Sequence, residues 1–293
     1  VIGNGEMCIP DYFNCKGSDY VWLSSGRSAI SFVIKTIEER NPNINKVVCL
    51  PSFTCHTVFE PFVNAGYDVK TIPVNRNLNI SIDDILTVVK NTKAGVVLLH
   101  NYFGFETIPN FKAIHSILKS LNVVIIEDCT QSMYSNITRI EADYYVGSIR
   151  KWCGVPDGGF AVCNSGQFID KPLEFDLELQ AAKKYASELK YSYLYDSKGE
   201  KKVFLEAYRI AEDILSNQKR TYAISNLSKV VQSNLDIEEM KRCRKANFKY
   251  LLYRITDIKY ITPIFKKLND NETPLYFPII CNNRSKIQKI LVE

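Results

Sequence analysis

A lysine, an acid, a serine-rich turn and a pair of glycines stand in this sequence where their chemistry could converge. The lysine is Lys151, in the run Ser148-Ile149-Arg150-Lys151-Trp152-Cys153-Gly154-Val155-Pro156-Asp157-Gly158-Gly159. It follows an apolar stretch, its neighbours Trp152, Cys153 and Val155 are apolar, and Asp157-Gly158-Gly159 leads into another apolar stretch. The ordinary fate of a lysine is a solvated surface. A lysine in an apolar setting sheds its charge readily and serves as an amine nucleophile. The acid is Asp128, in Ile125-Ile126-Glu127-Asp128-Cys129-Thr130-Gln131. A carboxylate directly after an apolar strand stands at the rim of a sheet, although a helix cap or structural ion pair is its commoner use. In Ser24-Ser25-Gly26-Arg27-Ser28, hydroxyls, a guanidinium and free backbone N–H groups open a helix. That is an anion site suited to phosphate, though serine-rich caps are common on their own. An amine for an aldehyde, an acid for a ring nitrogen and an anion cradle are together what pyridoxal phosphate requires.

The elements that must position these groups alternate along the first half of the chain. Apolar, β-branched runs at 46–51, 68–74, 94–100, 122–128, 143–148 and 158–164 read as strands. Between them, 57–66, 81–91 and 110–122 read as helices, and Ala29, Ile30, Val33, Ile34 and Ile37 fall on one helical face. Nearly uniform apolar strands separated by helices imply a mostly parallel sheet covered on both faces, an α/β fold. Its ligands gather at the carboxyl ends of the strands, which directs attention to His100, Glu127, Asp128, Ser148 and Lys151. From about 167 to 220 the chain reads as long charged helix. Asp236, with Glu239 three residues on, is a capping box opening another helix, and 274–280 reads as a strand. The expected organisation is a large domain over 1–234 and a smaller α+β domain over 235–293.

Composition narrows the classes of function. The chain has 293 residues, 46% of them hydrophobic and 24% charged, which is ordinary for a folded soluble protein. A net charge of +5 is spread along helical faces and makes no nucleic-acid footprint. Nine cysteines without a CxxC pair, beside three histidines, suggest neither a disulfide framework nor a zinc site. Asn-x-Ser/Thr triplets at Asn79 and Asn136 read as chance. No signal peptide or membrane-spanning run is seen, and the expected location is a reducing cytoplasm. The glycine fingerprints of dinucleotide and P-loop sites are missing, which counts against a nicotinamide-dependent oxidoreductase.

The order of these motifs resembles the DegT/StrS-type sugar aminotransferases, pyridoxal-phosphate enzymes of the aspartate-aminotransferase fold (fold type I). Ser24–Ile30 resembles that family's Ser-Gly-Thr-x-Ala-Leu helix start. The segment 50–74 resembles its Pro-x-x-Thr region, 98–104 its His-x-x-Gly stretch and 125–131 its Glu-Asp-Ala-Ala-Gln. Lys151 with Asp157-Gly158-Gly159 has the spacing of its Lys-(x)5-Glu/Asp-Gly-Gly, and 236–251 resembles the Arg-rich helix that opens its small domain. The resemblance implies that Lys151 bonds to the cofactor aldehyde and then acts as the base. It implies that Asp128 pairs with the pyridine nitrogen, that Gln131 approaches the phenolic oxygen, and that Gly26, Arg27, Ser28 and Ser148 hold the phosphate. It further implies a homodimer, small-molecule substrates (an amino acid donor such as glutamate and a keto sugar or sugar nucleotide), and a polysaccharide pathway, with no nucleic-acid or membrane partner.

Several positions depart from the family pattern. Cys55 and His56 follow Thr54 where a ring-stacking aromatic is usual, and His56 is expected to take that place. Arg27 stands where Thr is frequent, Val146 where Ser is, and no Asn-x-Arg element is evident in 219–228. The sequence also stops soon after 280, where relatives continue. A non-catalytic relative is the rival reading. A dehydratase on the same scaffold is another, although such enzymes carry His in place of the lysine.

Overall fold

The computed structural model describes residues 18–292 apart from 109–110, 173, 219 and 256–257. Seven strands form one sheet: β1 (Asp19–Leu23), β2 (Val47–Pro51), β3 (Asp68–Ile72), β4 (Val96–Leu99), β5 (Val124–Asp128), β6 (Tyr144–Ser148) and β7 (Gly159–Cys163). Their order across the sheet is β1-β7-β6-β5-β4-β2-β3. β2 to β6 are mutually parallel, and β7 runs antiparallel to both β6 and β1. Each expected strand of the first half is present, shortened by one or two residues at its ends. β1 adds an edge.

Both faces are covered, as uniformly apolar strands require. In β4, Val96 and Leu98 point into one core while Val97 and Leu99 point into the other, the two-residue alternation of a strand buried on both sides. The first core takes α1 (Gly26–Arg40) and α2 (His56–Asn64). The other takes α3 (Ile82–Thr92) and α4 (Lys112–Ser120). Ala29, Ile30, Val33, Ile34 and Ile37 of α1 are all buried. Each fully buried aliphatic of this kind contributes about 1.5–3 kcal/mol. Ser25 begins α1 by accepting the Ser28 N–H on its hydroxyl at 3.0 Å.

After β7 the long charged segment folds into a helical hairpin, α5 (Leu177–Tyr195) and α6 (Lys201–Ser216), with Asp176 capping its first turn. α7 (Asn226–Ser233) and α8 (Ile237–Ile255) follow. Asp236 caps α8 by accepting the Glu239 N–H at 2.9 Å, as the capping box predicts. A two-stranded antiparallel sheet of β8 (Ile261–Pro263) and β9 (Ile279–Cys281) precedes α9 (Arg284–Val292). The expected strand over 274–280 is thereby corrected: only its last two residues are in a strand. Pro274 and Pro278 lack N–H groups for a ladder, and Leu275 is instead buried, donating its N–H to the Phe103 carbonyl at 2.8 Å.

This return of the chain rests on Gly104. Its φ is +95°, and a Cβ there would lie 1.9 Å from the Thr273 carbonyl oxygen. Ser135 closes the junction, donating its hydroxyl to the Gly104 carbonyl at 2.8 Å and accepting the Thr273 N–H at 3.0 Å. Phe105 stacks on Phe265 at 3.8 Å and contacts Phe248 at 5.3 Å. Gly104→Ala combines a left-handed backbone with a backbone clash. It is expected to destabilise the fold by about 2 kcal/mol or more in equilibrium denaturation, with Gly66→Ala, whose Cβ meets nothing within 4 Å, paying the backbone term alone.

Candidate active site

β7 is antiparallel to both of its neighbours, so β1 and β6 run the same way and their carboxyl ends share a rim with those of β4 and β5. Leu23 leads into Ser24-Ser25 and α1, Leu99 into His100, β5 ends on Asp128, and β6 ends on Ser148. Ile149–Lys151 then make a single 3-10 turn. A cavity of about 680 Å³ opens over this rim. Gly26, Arg27, Asp128, Gln131, Ser148 and Lys151 all line it.

Each group is set by its local structure. Lys151 is exposed at the end of its turn, which Trp152 anchors by donating its indole N–H to the Thr130 carbonyl at 2.8 Å. Arg244 of α8 covers the indole face at 4.9 Å. Asp128 is buried, and its Oδ1 accepts the Thr130 N–H at 2.9 Å. Thr130 also accepts the Ser148 N–H on its hydroxyl at 3.1 Å, joining the ends of β5 and β6. Gln131 accepts the Phe103 N–H at 3.1 Å, and Ser148 donates its hydroxyl to the Gly158 carbonyl at 3.2 Å. At the head of α1, Ser25 takes the Ser28 and Ala29 amides through its hydroxyl and carbonyl. Among the described residues, the Gly26 and Arg27 amides have no main-chain acceptor. Arg27 itself contacts Glu60 at 3.2 Å and donates to Ser216 at 2.9 Å.

Two expected site residues lie elsewhere. Ser28 is buried behind the rim, with its hydroxyl against those of Ser24 and Ser25 at 3.1 and 2.9 Å. It belongs to the cap and does not line the cavity. His56 is exposed as the first residue of α2 and is not in the wall, where Thr54, Cys55 and Thr57 stand. Glu127 is also a structural group. Strand alternation turns it away from Asp128, and it is fully buried, pairing with Arg139 at 3.2 Å and accepting the Ile140 N–H at 3.0 Å. Burial pushes its carboxyl up, while Arg139 pulls it down.

His100 and Asp157, both marked by the sequence, have structural partners around the rim. His100 is buried, with Nε2 3.1 Å from the Thr54 hydroxyl. Burial lowers it to about 4; Asp128 favours its charged form and Lys151 opposes it. Asp157 is buried, and it accepts the Ser225 N–H at 2.9 Å and the Ser225 hydroxyl at 2.6 Å, holding the start of α7. Beside Lys151, Arg150 donates to Glu212 of α6 at 2.7 Å, and the buried Lys183 of α5 binds the same oxygen. Burial disfavours the Glu212 charge, but the two cations outweigh it and hold the carboxyl at about 2.

The known proteins bear on this arrangement. A model of the DegT/DnrJ/EryC1/StrS aminotransferase family matches residues 15–151. The match takes in the head of α1, Asp128 and Gln131, and it ends on Lys151. No curated protein sequence matches the chain. Among solved structures, a DegT DnrJ EryC1 StrS aminotransferase from Brucella abortus is similar at 16% identity and a TM-score of 0.63, over 97% of this chain and 70% of that one. The sugar aminotransferase CalS13 from Micromonospora echinospora is similar at 14% identity and a TM-score of 0.62, over 97% and 75%. PseC of Helicobacter pylori, an aminotransferase of pseudoaminic acid biosynthesis, is similar at 14% identity and a TM-score of 0.61, over 98% and 71%. At these identities the likeness establishes a shared fold, that of the sugar aminotransferases, and it extends beyond the residues that the family model matches. Among the described residues no helix is long and apolar enough to cross a membrane, and no cluster of His, Cys, Asp or Glu could hold a metal.

The depression of His100 has a measurable consequence. Below about pH 6.5 the unfolded chain takes up a proton at this position, while the folded protein declines it until about pH 4. Stability is therefore present above pH 6.5 and drains as pH falls toward 4. His100→Gln is expected to flatten that part of the pH–stability curve, and the imidazole proton signals should hold their neutral positions until about pH 4.

Proposed function

We propose that the chain is a pyridoxal-phosphate-dependent aminotransferase. In this reading it moves an amino group from an amino acid such as glutamate to a nucleotide-linked keto sugar, and it works as a homodimer in a reducing cytoplasm. The observation that carries the reading is the convergence of three different groups on one cavity. These are the two amides at the head of α1 that have no acceptor among the described residues, the Asp128 carboxylate and the exposed Lys151 amine. Asp128 commits Oδ1 to Thr130, and its other oxygen has no hydrogen-bond partner among the described residues. That is the donor set for a phosphate, a protonated ring nitrogen and an aldehyde, and so the residues present fit the cofactor.

When bound, pyridoxal phosphate supplies an electron sink for the carbon that loses or gains the amino group. The remaining work falls to the chain. The Gly26 and Arg27 amides, with the positive end of α1 behind them, would bind the phosphate, joined by the Ser148 hydroxyl when it turns its proton away from the Gly158 carbonyl. Asp128 keeps the ring nitrogen protonated, and Gln131, oriented by Phe103, faces the phenolic oxygen. Lys151 Nζ is the amine that would hold the cofactor's aldehyde, and the same nitrogen would carry the proton to and from the substrate carbon. Cys55 and Thr54 form the wall where relatives place a ring.

Absorption spectroscopy tests this directly. Adding pyridoxal phosphate to the purified protein is expected to produce a visible band that glutamate bleaches. Lys151→Ala is expected to lack the covalent band and to lose amino transfer by at least about a hundredfold, the least that positioned proton transfer contributes. Absence of the band from the parent protein removes the cofactor and the reaction with it. A band indifferent to every amino donor would favour a non-catalytic relative.

A further inference from the structure

Lys151 makes no hydrogen bond or ion pair among the described residues, yet the residues on either side of it are tied down. It ends a 3-10 turn of three residues, Ile149–Lys151, and so short a turn has little stability of its own. Ile149 is fully buried, and its carbonyl accepts the Trp152 and Cys153 N–H groups at 2.9 and 3.1 Å. Trp152 is anchored in turn on the Thr130 carbonyl. On the other flank the Arg150 guanidinium has one tie among the described residues, to Glu212 of α6 at 2.7 Å. Glu212 stands in the wall of the same cavity as Lys151.

Glu212 is itself held from behind. The oxygen that takes Arg150 also takes the ammonium of Lys183, a residue of α5 that is only 2% exposed. That ammonium lies 5.7 Å from the centre of the Tyr208 ring of α6. The Ser187 hydroxyl donates to the Lys183 carbonyl at 2.8 Å and meets the Tyr208 hydroxyl at 3.1 Å. A buried ammonium is costly unless it is paired, so Lys183 favours the one arrangement of α5 and α6 that brings Glu212 to it. Burial and the Arg150 charge push the Lys183 ammonium down, and Glu212 opposes them. Burial disfavours charge on Glu212 as well, but the two cations hold its carboxyl at about 2.

We propose that Glu212 is a positioning residue for Lys151. By gripping Arg150 it fixes the turn on the side that Trp152 leaves free, which holds the Lys151 amine at one offset from Asp128 and the head of α1. Lys183 sets where Glu212 stands, and the helical hairpin thereby braces the reacting lysine. The proposal rests on the preceding reading that Lys151 meets the cofactor aldehyde. Amine and aldehyde condense with loss of water, and that condensation is sensitive to the placing of the amine. Binding of the phosphate draws on α1 and is not.

Hydrogen exchange of the full chain without cofactor gives the first readout. Arg150→Gln keeps the pair of Lys183 with Glu212 and removes only the tie to the turn. It is expected to speed exchange at the Trp152 and Cys153 amides about tenfold, the usual scale for losing a hydrogen bond to a charged group, while the amides of β5 keep the parent's rate. Arg150→Lys, which restores a donor, should return most of the protection. Glu212→Gln alone leaves the buried Lys183 without a counter-ion, so it is combined with Lys183→Met. This double variant should melt like the parent and still show the fast turn. With pyridoxal phosphate, Arg150→Gln and the double variant should need about tenfold more cofactor to reach half of the covalent band. Both should bind pyridoxamine phosphate, which has no aldehyde, as tightly as the parent by calorimetry. Arg209→Gln, which removes exposed ion pairs of α6 with Glu206 and Asp213, should change neither readout. The proposal is overturned if the turn exchanges at the parent's rate in both variants. It is also overturned if pyridoxamine phosphate binding weakens as much as the band, which would mark a merely structural link. A parent without a band, beside variants in which the turn is loosened, upholds the brace and counts against the preceding reading alone.

Discussion

The site depends on a side chain that is missing. β7 begins at Gly159, which the sheet register sets between Leu23 and Ser148. A Cβ on Gly159 would lie 2.1 Å from the Ser25 carbonyl oxygen. Without one, β7 passes directly against the cap of α1, and the head of that helix meets the end of β6 at a single rim. The flanking residues complete the joint. Gly158, at φ +140°, donates its N–H to the Ser24 carbonyl at 2.8 Å, and Asp157 turns its buried carboxylate to the start of α7. The run after the lysine is therefore a junction of three elements, and it holds Lys151 and the amides of α1 on the same cavity.

Adjacent acids show how strand geometry sorts chemistry from structure. Glu127 and Asp128 end the same strand, but alternate residues face opposite sides. Glu127 is enclosed and committed to Arg139, whose guanidinium also donates to the Ser132, Met133 and Ser135 carbonyls. That pair shapes the loop after β5, since a buried carboxylate persists only with its counter-ion and hydrogen bonds. Asp128 looks into the cavity, with one oxygen uncommitted. Thr130, between them and the end of β6, keeps the two outcomes in register.

Much of this was legible before the fold was known, for identifiable reasons. Strands buried on both faces leave continuous apolar runs, so the sheet and the residues ending its strands could be read directly, Asp128 and Lys151 included. The misreadings have physical causes too. Ser28 has the right residue type for a phosphate contact, but its place one turn into α1 directs it to the cap. His56 has a ring suited to stacking, whereas the first turn of α2 turns Cys55 and Thr57 to the cavity and leaves His56 in solvent. The run 274–280 has strand composition, yet its prolines and its burial against Phe103 and Gly104 exclude it from a ladder. The link of Arg150, Glu212 and Lys183 joins a turn to two helices far along the chain, and no local pattern announces such a partnership.

The pairing of β1 with β7 also has consequences for the order of assembly. It joins residues 19–23 to residues 159–163, and Leu23 makes a further bridge to Ala223. The parallel strands β2 to β6 lie between these partners and can associate through shorter closures. Because closing a long loop costs entropy before its contacts repay it, the edge that carries the head of α1 is the late-forming part of the sheet. A nascent chain emerging from the ribosome thus builds the layer of strands first. It acquires the phosphate-facing helix start in its final position only after β7, and then α7, have been synthesised.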